Sequence, residues 1–117
     1  MALSLALSSP AAAQHSHGSK GPNGGILEDV AGVHAELVTS GNTITINILD
    51  EGNKPVSTQG YTGSVLVVAG SDRETVKLEP GGTSLKGEAK KALAANTQFT
   101  LMLKTAAGKS GQARYKK

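Results

Sequence analysis

Two stretches with side-chain period two constrain this chain most. Thr43-Ile44-Thr45-Ile46-Asn47-Ile48 alternates strictly, and Val33-His34-Ala35-Glu36-Leu37 alternates just before it. Strict alternation puts one set of side chains in a core and the other outside, which is a half-buried β-strand. A two-residue turn at Ser40-Gly41 sets Leu37 opposite Ile44, Ala35 opposite Ile46 and Val33 opposite Ile48. All the apolar residues then share one face, and moving the turn by one residue is expected to break that agreement. The same register puts His34 opposite Asn47 and Glu36 opposite Thr45, side by side on the polar face.

Similar segments follow. The apolar run Val65-Leu66-Val67-Val68-Ala69 suits a central strand. Gly70-Ser71-Asp72-Arg73 turns the chain. Residues 74–78 alternate and pair back, with Val68 near Val76 and Leu66 near Leu78. Residues 84–89 form a short strand. Residues 90–96 form a helical turn or a loop crossing between sheets. Residues 97–103 and 112–115 complete the set. About seven short strands with turn signals between them predict an all-β fold, an immunoglobulin-like antiparallel β-sandwich, with a small barrel as the competitor. The composition agrees. There are 15 Gly, no Trp and three other aromatics (Tyr61, Phe99, Tyr115), so the core must be aliphatic.

The 117 residues allow one domain. Residues 1–13 read as the remnant of a secretory signal. The run is apolar and small, with an Ala11-x-Ala13 cleavage pattern, although nothing before Lys20 is charged. It is too short to span a bilayer. Residues 14–25, which contain Gly, Pro, Ser and Asn, almost no apolar residue, and His15 and His17, read as a flexible arm, and residues 26–117 as the β-domain. The expected location is outside the cytoplasm, in a bacterial periplasm. With no cysteine there is no disulfide and no thiolate chemistry.

The net charge of +3 shows no basic stripe interleaved with aromatics, so no nucleic acid is expected. No nucleophile-elbow or phosphate-cradling motif occurs, and no enzyme is expected. A metal site is the better reading. Imidazole suits copper and zinc, and a carboxylate can complete such a site. His34 and Glu36 share a strand face. A fold-back of the arm would bring His15 or His17 toward them. With Gln14 as first residue, His15 would also chelate Cu(II) through amine, amide and imidazole nitrogens. The candidate metal ligands are therefore His34, Glu36, His15 and His17, for Cu(II) or Zn(II). The competing reading is a structural or interaction module that docks an envelope partner, with the histidines as bystanders.

Gly21-Pro22-Asn23-Gly24-Gly25, followed by Ile26-Leu27-Glu28-Asp29 and by Gly32-Val33-His34-Ala35-Glu36-Leu37, resembles a segment of small periplasmic domains that accompany heavy-metal efflux adaptor proteins. Asp50-Glu51-Gly52-Asn53-Lys54-Pro55-Val56 is similar to a turn common in bacterial immunoglobulin-like domains. The resemblance covers about residues 15–60. It implies a periplasmic β-sandwich near metal-handling systems, a metal efflux component as possible partner, and places for His34 and Glu36 in the shared segment. The chain has no coiled-coil hairpin and no barrel domain, so a pump-adaptor role is not implied.

Overall fold

The computed structural model describes residues 19–117. The signal segment 1–13, the start of the expected arm, His15 and His17 lie outside the described residues. Nine strands run in chain order: β1 (Ser19–Lys20), β2 (Ile26–Val30), β3 (Val33–Ser40), β4 (Thr43–Leu49), β5 (Thr62–Ala69), β6 (Asp72–Gly81), β7 (Ser84–Glu88), β8 (Gln98–Lys104) and β9 (Ser110–Lys116). All neighbours are antiparallel, in the order β1-β2-β3-β4-β7-β6-β5-β8-β9. No helix occurs among the described residues, so none is available to cross a membrane.

The expected fold is met at the level of an all-β antiparallel architecture, with two more strands than the seven expected. The additions are β1 and β2. Ser19 and Lys20 are thus part of the sheet, pairing with Leu27 and Ile26, and residues 21–25 form the loop that joins β1 to β2 rather than a free arm.

One strand turns the sheet on itself. β6 pairs with β5 through residues 72–78 and then with β7 through Glu79, Pro80 and Gly81. One half of the curl is therefore β1-β2-β3-β4-β7, the other β6-β5-β8-β9. Their inner faces enclose an aliphatic core of Ala35, Leu37, Ile44, Ile46, Ile48, Val65, Val67, Val76, Leu78, Leu85, Leu101 and Leu103, with Phe99 as its largest fully buried side chain. Tyr115 on β9 crosses this core, and its hydroxyl donates to the Ala35 carbonyl at 2.8 Å. Burial, joined by the nearby Glu28 carboxylate, pushes the Tyr115 hydroxyl pKa well above its ordinary value.

Two registers differ from expectation for the same reason. The β3–β4 turn is Gly41-Asn42, with Ser40 opposite Thr43, so Leu37 faces Ile46, Ala35 faces Ile48, Glu36 faces Asn47 and His34 faces Leu49. Moving the turn by one residue shifts partners by two, and two is the side-chain period. The apolar face therefore survives the change intact. What selects the turn is Gly41, with φ of 61°, at the first central position of a type II′ turn. Gly70 (φ 63°) does the same between β5 and β6 and makes the turn two residues long. Val65 then faces Val76, and Gly63 faces Leu78. The run 65–69 consequently alternates: Val65 and Val67 are buried, while Leu66 and Val68 point outward and are half-buried.

The span 90–96 is a loop, without a helical turn. It is tied to the β3–β4 turn by bonds from Leu93 N–H to the Gly41 carbonyl and from Asn42 Nδ2 to the Ala89 carbonyl.

Candidate functional site

His34 and Glu36 do share the outer face of β3, and the structure gives them different surroundings. Glu36 is fully buried beneath the loop 21–25 that joins β1 to β2. Its Oε2 accepts from the Asn23 and Gly25 backbone N–H groups, each at 2.8 Å, and its Oε1 accepts from Asn23 Nδ2 at 2.8 Å. A buried carboxylate must be compensated by donors, and here a loop supplies three.

The sequence reasons are visible. A Cβ at position 21 would meet the Glu36 carboxylate at 2.5 Å, and one at position 25 would collide with the Leu37 carbonyl, so both positions are held to glycine by close approach. The loop closes on itself through Gly21 N–H to the Gly25 carbonyl (2.8 Å) and Gly24 N–H to the Gly21 carbonyl (3.1 Å). The Gly-Pro-Asn-Gly-Gly segment and the glutamate eleven to thirteen residues later are thus two parts of one clip. Both Glu36 oxygens accept hydrogen bonds in it, and the carboxylate is closed off from solvent and turned to the loop.

His34 lies near the β2–β3 turn, with its side chain 25% exposed. Nε2 stands 3.0 Å from Asp29 Oδ1, and Nδ1 stands 3.0 Å from Asn53 Oδ1. Asp29 is the direct cross-strand neighbour of His34, and its carboxylate is 87% exposed. Asn53, at φ 62°, is presented by the loop 50–55. Asp50 orders that loop by accepting from Gly52 N–H at 2.8 Å and Lys54 N–H at 3.0 Å. The Lys54 N–H holds the Asp50 carboxyl below its ordinary pKa. The Gly52 N–H and the charges of Lys54 and His34 act the same way, against a partial desolvation.

The arrangement supplies one imidazole and one carboxylate as an N/O donor pair, a set that suits Zn(II) or Cu(II). With Nδ1 turned to Asn53, the ring presents Nε2 toward Asp29, and an outer partner of this kind orients a ligating histidine. Among the described residues no group of three or more His, Cys, Asp or Glu side chains is gathered closely enough to hold a metal ion. Asp29 and Asn53 were missed in the sequence. Asp29 follows from the register across the Ala31-Gly32 turn, whereas nothing local marks Asn53.

No family model, curated protein or solved structure matches this chain.

Proposed function

We propose that this chain is a periplasmic metal-binding accessory domain for Cu(II) or Zn(II), serving a metal efflux component of the envelope. The observation that carries the reading is the His34–Asp29 pair: two donors 3.0 Å apart, the carboxylate exposed and the imidazole half-buried, with Asn53 at the other ring nitrogen. The ligand set is revised accordingly to His34 and Asp29, with Glu36 left out; His15 and His17 remain proposed ligands that lie outside the described residues. Asp29 pairs directly with His34 across β2 and β3. The location rests on the apolar run ending in Ala11-x-Ala13.

The finer fold proposed is immunoglobulin-like. What supports it is the order β3-β4-β7 on one side and β5-β8-β9 on the other, which resembles the two sheets of a seven-stranded immunoglobulin domain, with β6 switching from β5 to β7 along its length. β1 and β2 then form an extra edge hairpin.

The test is an amide-resolved NMR titration of the full chain with Zn(II) and then Cu(II). Shifts at Asp29, His34 and Asn53 at micromolar metal, lost in His34→Ala, weakened in Asp29→Asn and fading as pH falls through the histidine range, are expected. A response confined to residues 14–18 and unchanged in His34→Ala means an arm chelate alone and overturns the reading. No response at micromolar metal also overturns it.

A further inference from the structure

We infer that the outer face of β6-β5-β8-β9 docks an acidic amphipathic helix of a partner protein. Four cross-strand rows define the face: Arg73-Val68-Gln98-Lys116, Thr75-Leu66-Thr100-Arg114, Lys77-Ser64-Met102-Gln112, and Thr62-Lys104-Ser110. Five cations stand on it, Arg73, Lys77, Lys104, Arg114 and Lys116, all exposed. None of these outward positions carries a carboxylate. The modest charge of the whole chain hides this segregation, because six of the nine acids sit in the Glu36 clip, the His34 corner, the loop 50–55 and the rim residues Asp72 and Glu74, while Glu79 continues the outward set at the end of β6, Glu88 ends β7 and Glu28 borders the face.

The cations flank an apolar lane. Leu66 and Val68 lie half-buried along β5, and Met102 on β8 is the large hydrophobic side chain most exposed among the described residues, at 39%. A groove of about 710 Å³ runs over Leu66, Val68 and Thr100 between Arg73 and Arg114, with Glu28 of β2 at its border.

Chemistry and width select the occupant. Strands β6 and β9 are three spacings apart, ~14 Å, which admits a helix ~10–12 Å across. A helix satisfies its own backbone, whereas an extended segment laid on the face of a sheet finds no ladder edge there. An apolar stripe with glutamates on both flanks meets the lane and the cation rows together. Nucleic acid would call for exposed stacking aromatics, and the two aromatics that border this groove, Phe99 and Tyr115, are buried. A bilayer surface is flat and does not fill a groove walled by long cationic side chains.

The probe is a synthetic amphipathic peptide of about 15 residues, long enough to be marginally helical, with a leucine stripe flanked by glutamate. It is compared with its glutamine version, with phosphatidylglycerol vesicles and with a single-stranded oligonucleotide. Expected are saturable amide shifts at Leu66, Val68, Thr75, Thr100 and Met102. The glutamine peptide should bind about tenfold more weakly, and Arg73→Glu with Arg114→Glu should weaken the glutamate peptide by about tenfold or more. If that double reversal lowers the melting midpoint, Lys77→Gln with Lys116→Gln makes the same comparison. Equal binding of both peptides, shifts elsewhere or none, or occupation of the face by vesicles or oligonucleotide in place of peptide overturns the proposal.

Discussion

The two halves of the curled sheet treat their outer faces in opposite ways. On β3 the outward Glu36 is roofed by the loop 21–25 and gives both oxygens to backbone and amide donors. On β6-β5-β8-β9 the outward positions carry five cations and an uncovered apolar lane. The first face is closed by the chain itself, and its charge works for the fold. The second is left open, and its charges have no fold-level use that would explain their clustering. Exposed charges alter stability little, while a buried carboxylate stripped of its donors alters it strongly. Substitutions on the two faces should therefore separate cleanly.

The largest effect belongs to Glu36. Glu36→Ala leaves the Asn23 and Gly25 N–H groups without their acceptor under a closed loop and is expected to cost about 3–5 kcal/mol. Gly21→Ala should act in the same direction, because its Cβ has no room beside the carboxylate. Lys77→Ala on the open face should stay within about 0.5 kcal/mol of the parent. Urea unfolding of the three variants decides the matter. Comparable losses at Glu36 and Lys77 would break the contrast between the faces.

Tyr115 ties the two halves across the core. Tyr115→Phe removes its bond to the Ala35 carbonyl and is expected to cost about 1 kcal/mol. The parent should also lose stability in alkali. An acid with a raised folded pKa contributes stability that is complete below its unfolded pKa, near 10.0, and is lost as pH rises beyond it toward the folded value. Denaturant midpoints that fall above about pH 10 in the parent, and much less in Tyr115→Phe, are the expected result.

Strand alternation reveals most of this fold and less of its sites, for a definite reason. Period two tells which residues share a face, so the core side of β3 and β4 was legible. It cannot separate registers that differ by two residues, and only the position of Gly41 in its turn does so. In β5 the continuous apolar run hid a one-sided burial, because Leu66 and Val68 look like core until the Gly70 turn fixes their orientation. Glu36 was placed beside His34 correctly. Its role depends on a loop that folds back from residues 21–25, and a contact of that kind leaves only the paired glycines as a trace. The cationic face is assembled from four strands between 62 and 116 and has no linear signature at all.

A smaller effect probes the backbone beside the candidate metal corner. Ala31 sits at φ 52°, followed by Gly32 at 84°, so both central residues of the β2–β3 turn are left-handed. Alanine is strained there, and asparagine is the preferred first residue of such a turn. Ala31→Asn is expected to raise stability by roughly 0.5 kcal/mol. A fall would mean that the packing of Ala31 against the core outweighs its backbone strain.

The smallest effect concerns the loop that presents Asn53. Asp50 accepts from the Gly52 and Lys54 N–H groups, which favour its ionised form and lower its pKa. For a carboxyl whose folded pKa is depressed, the contribution is complete above the unfolded value of about 3.8 and is lost as pH falls through the folded value below it. The loop should therefore hold its shape down through the ordinary carboxylate range and loosen only in stronger acid. Amide shifts of Gly52 and Lys54 followed against pH should titrate together, below pH 3.8, with the side chain of His34 sensing the change through Asn53. In Asp50→Asn that titration should vanish while the Glu36 clip stays intact, because no bond links the two. A Glu36 loop that moved with it would show that the two ends of β3 are coupled, and the division between a corner open to ions and a closed clip would have to be given up.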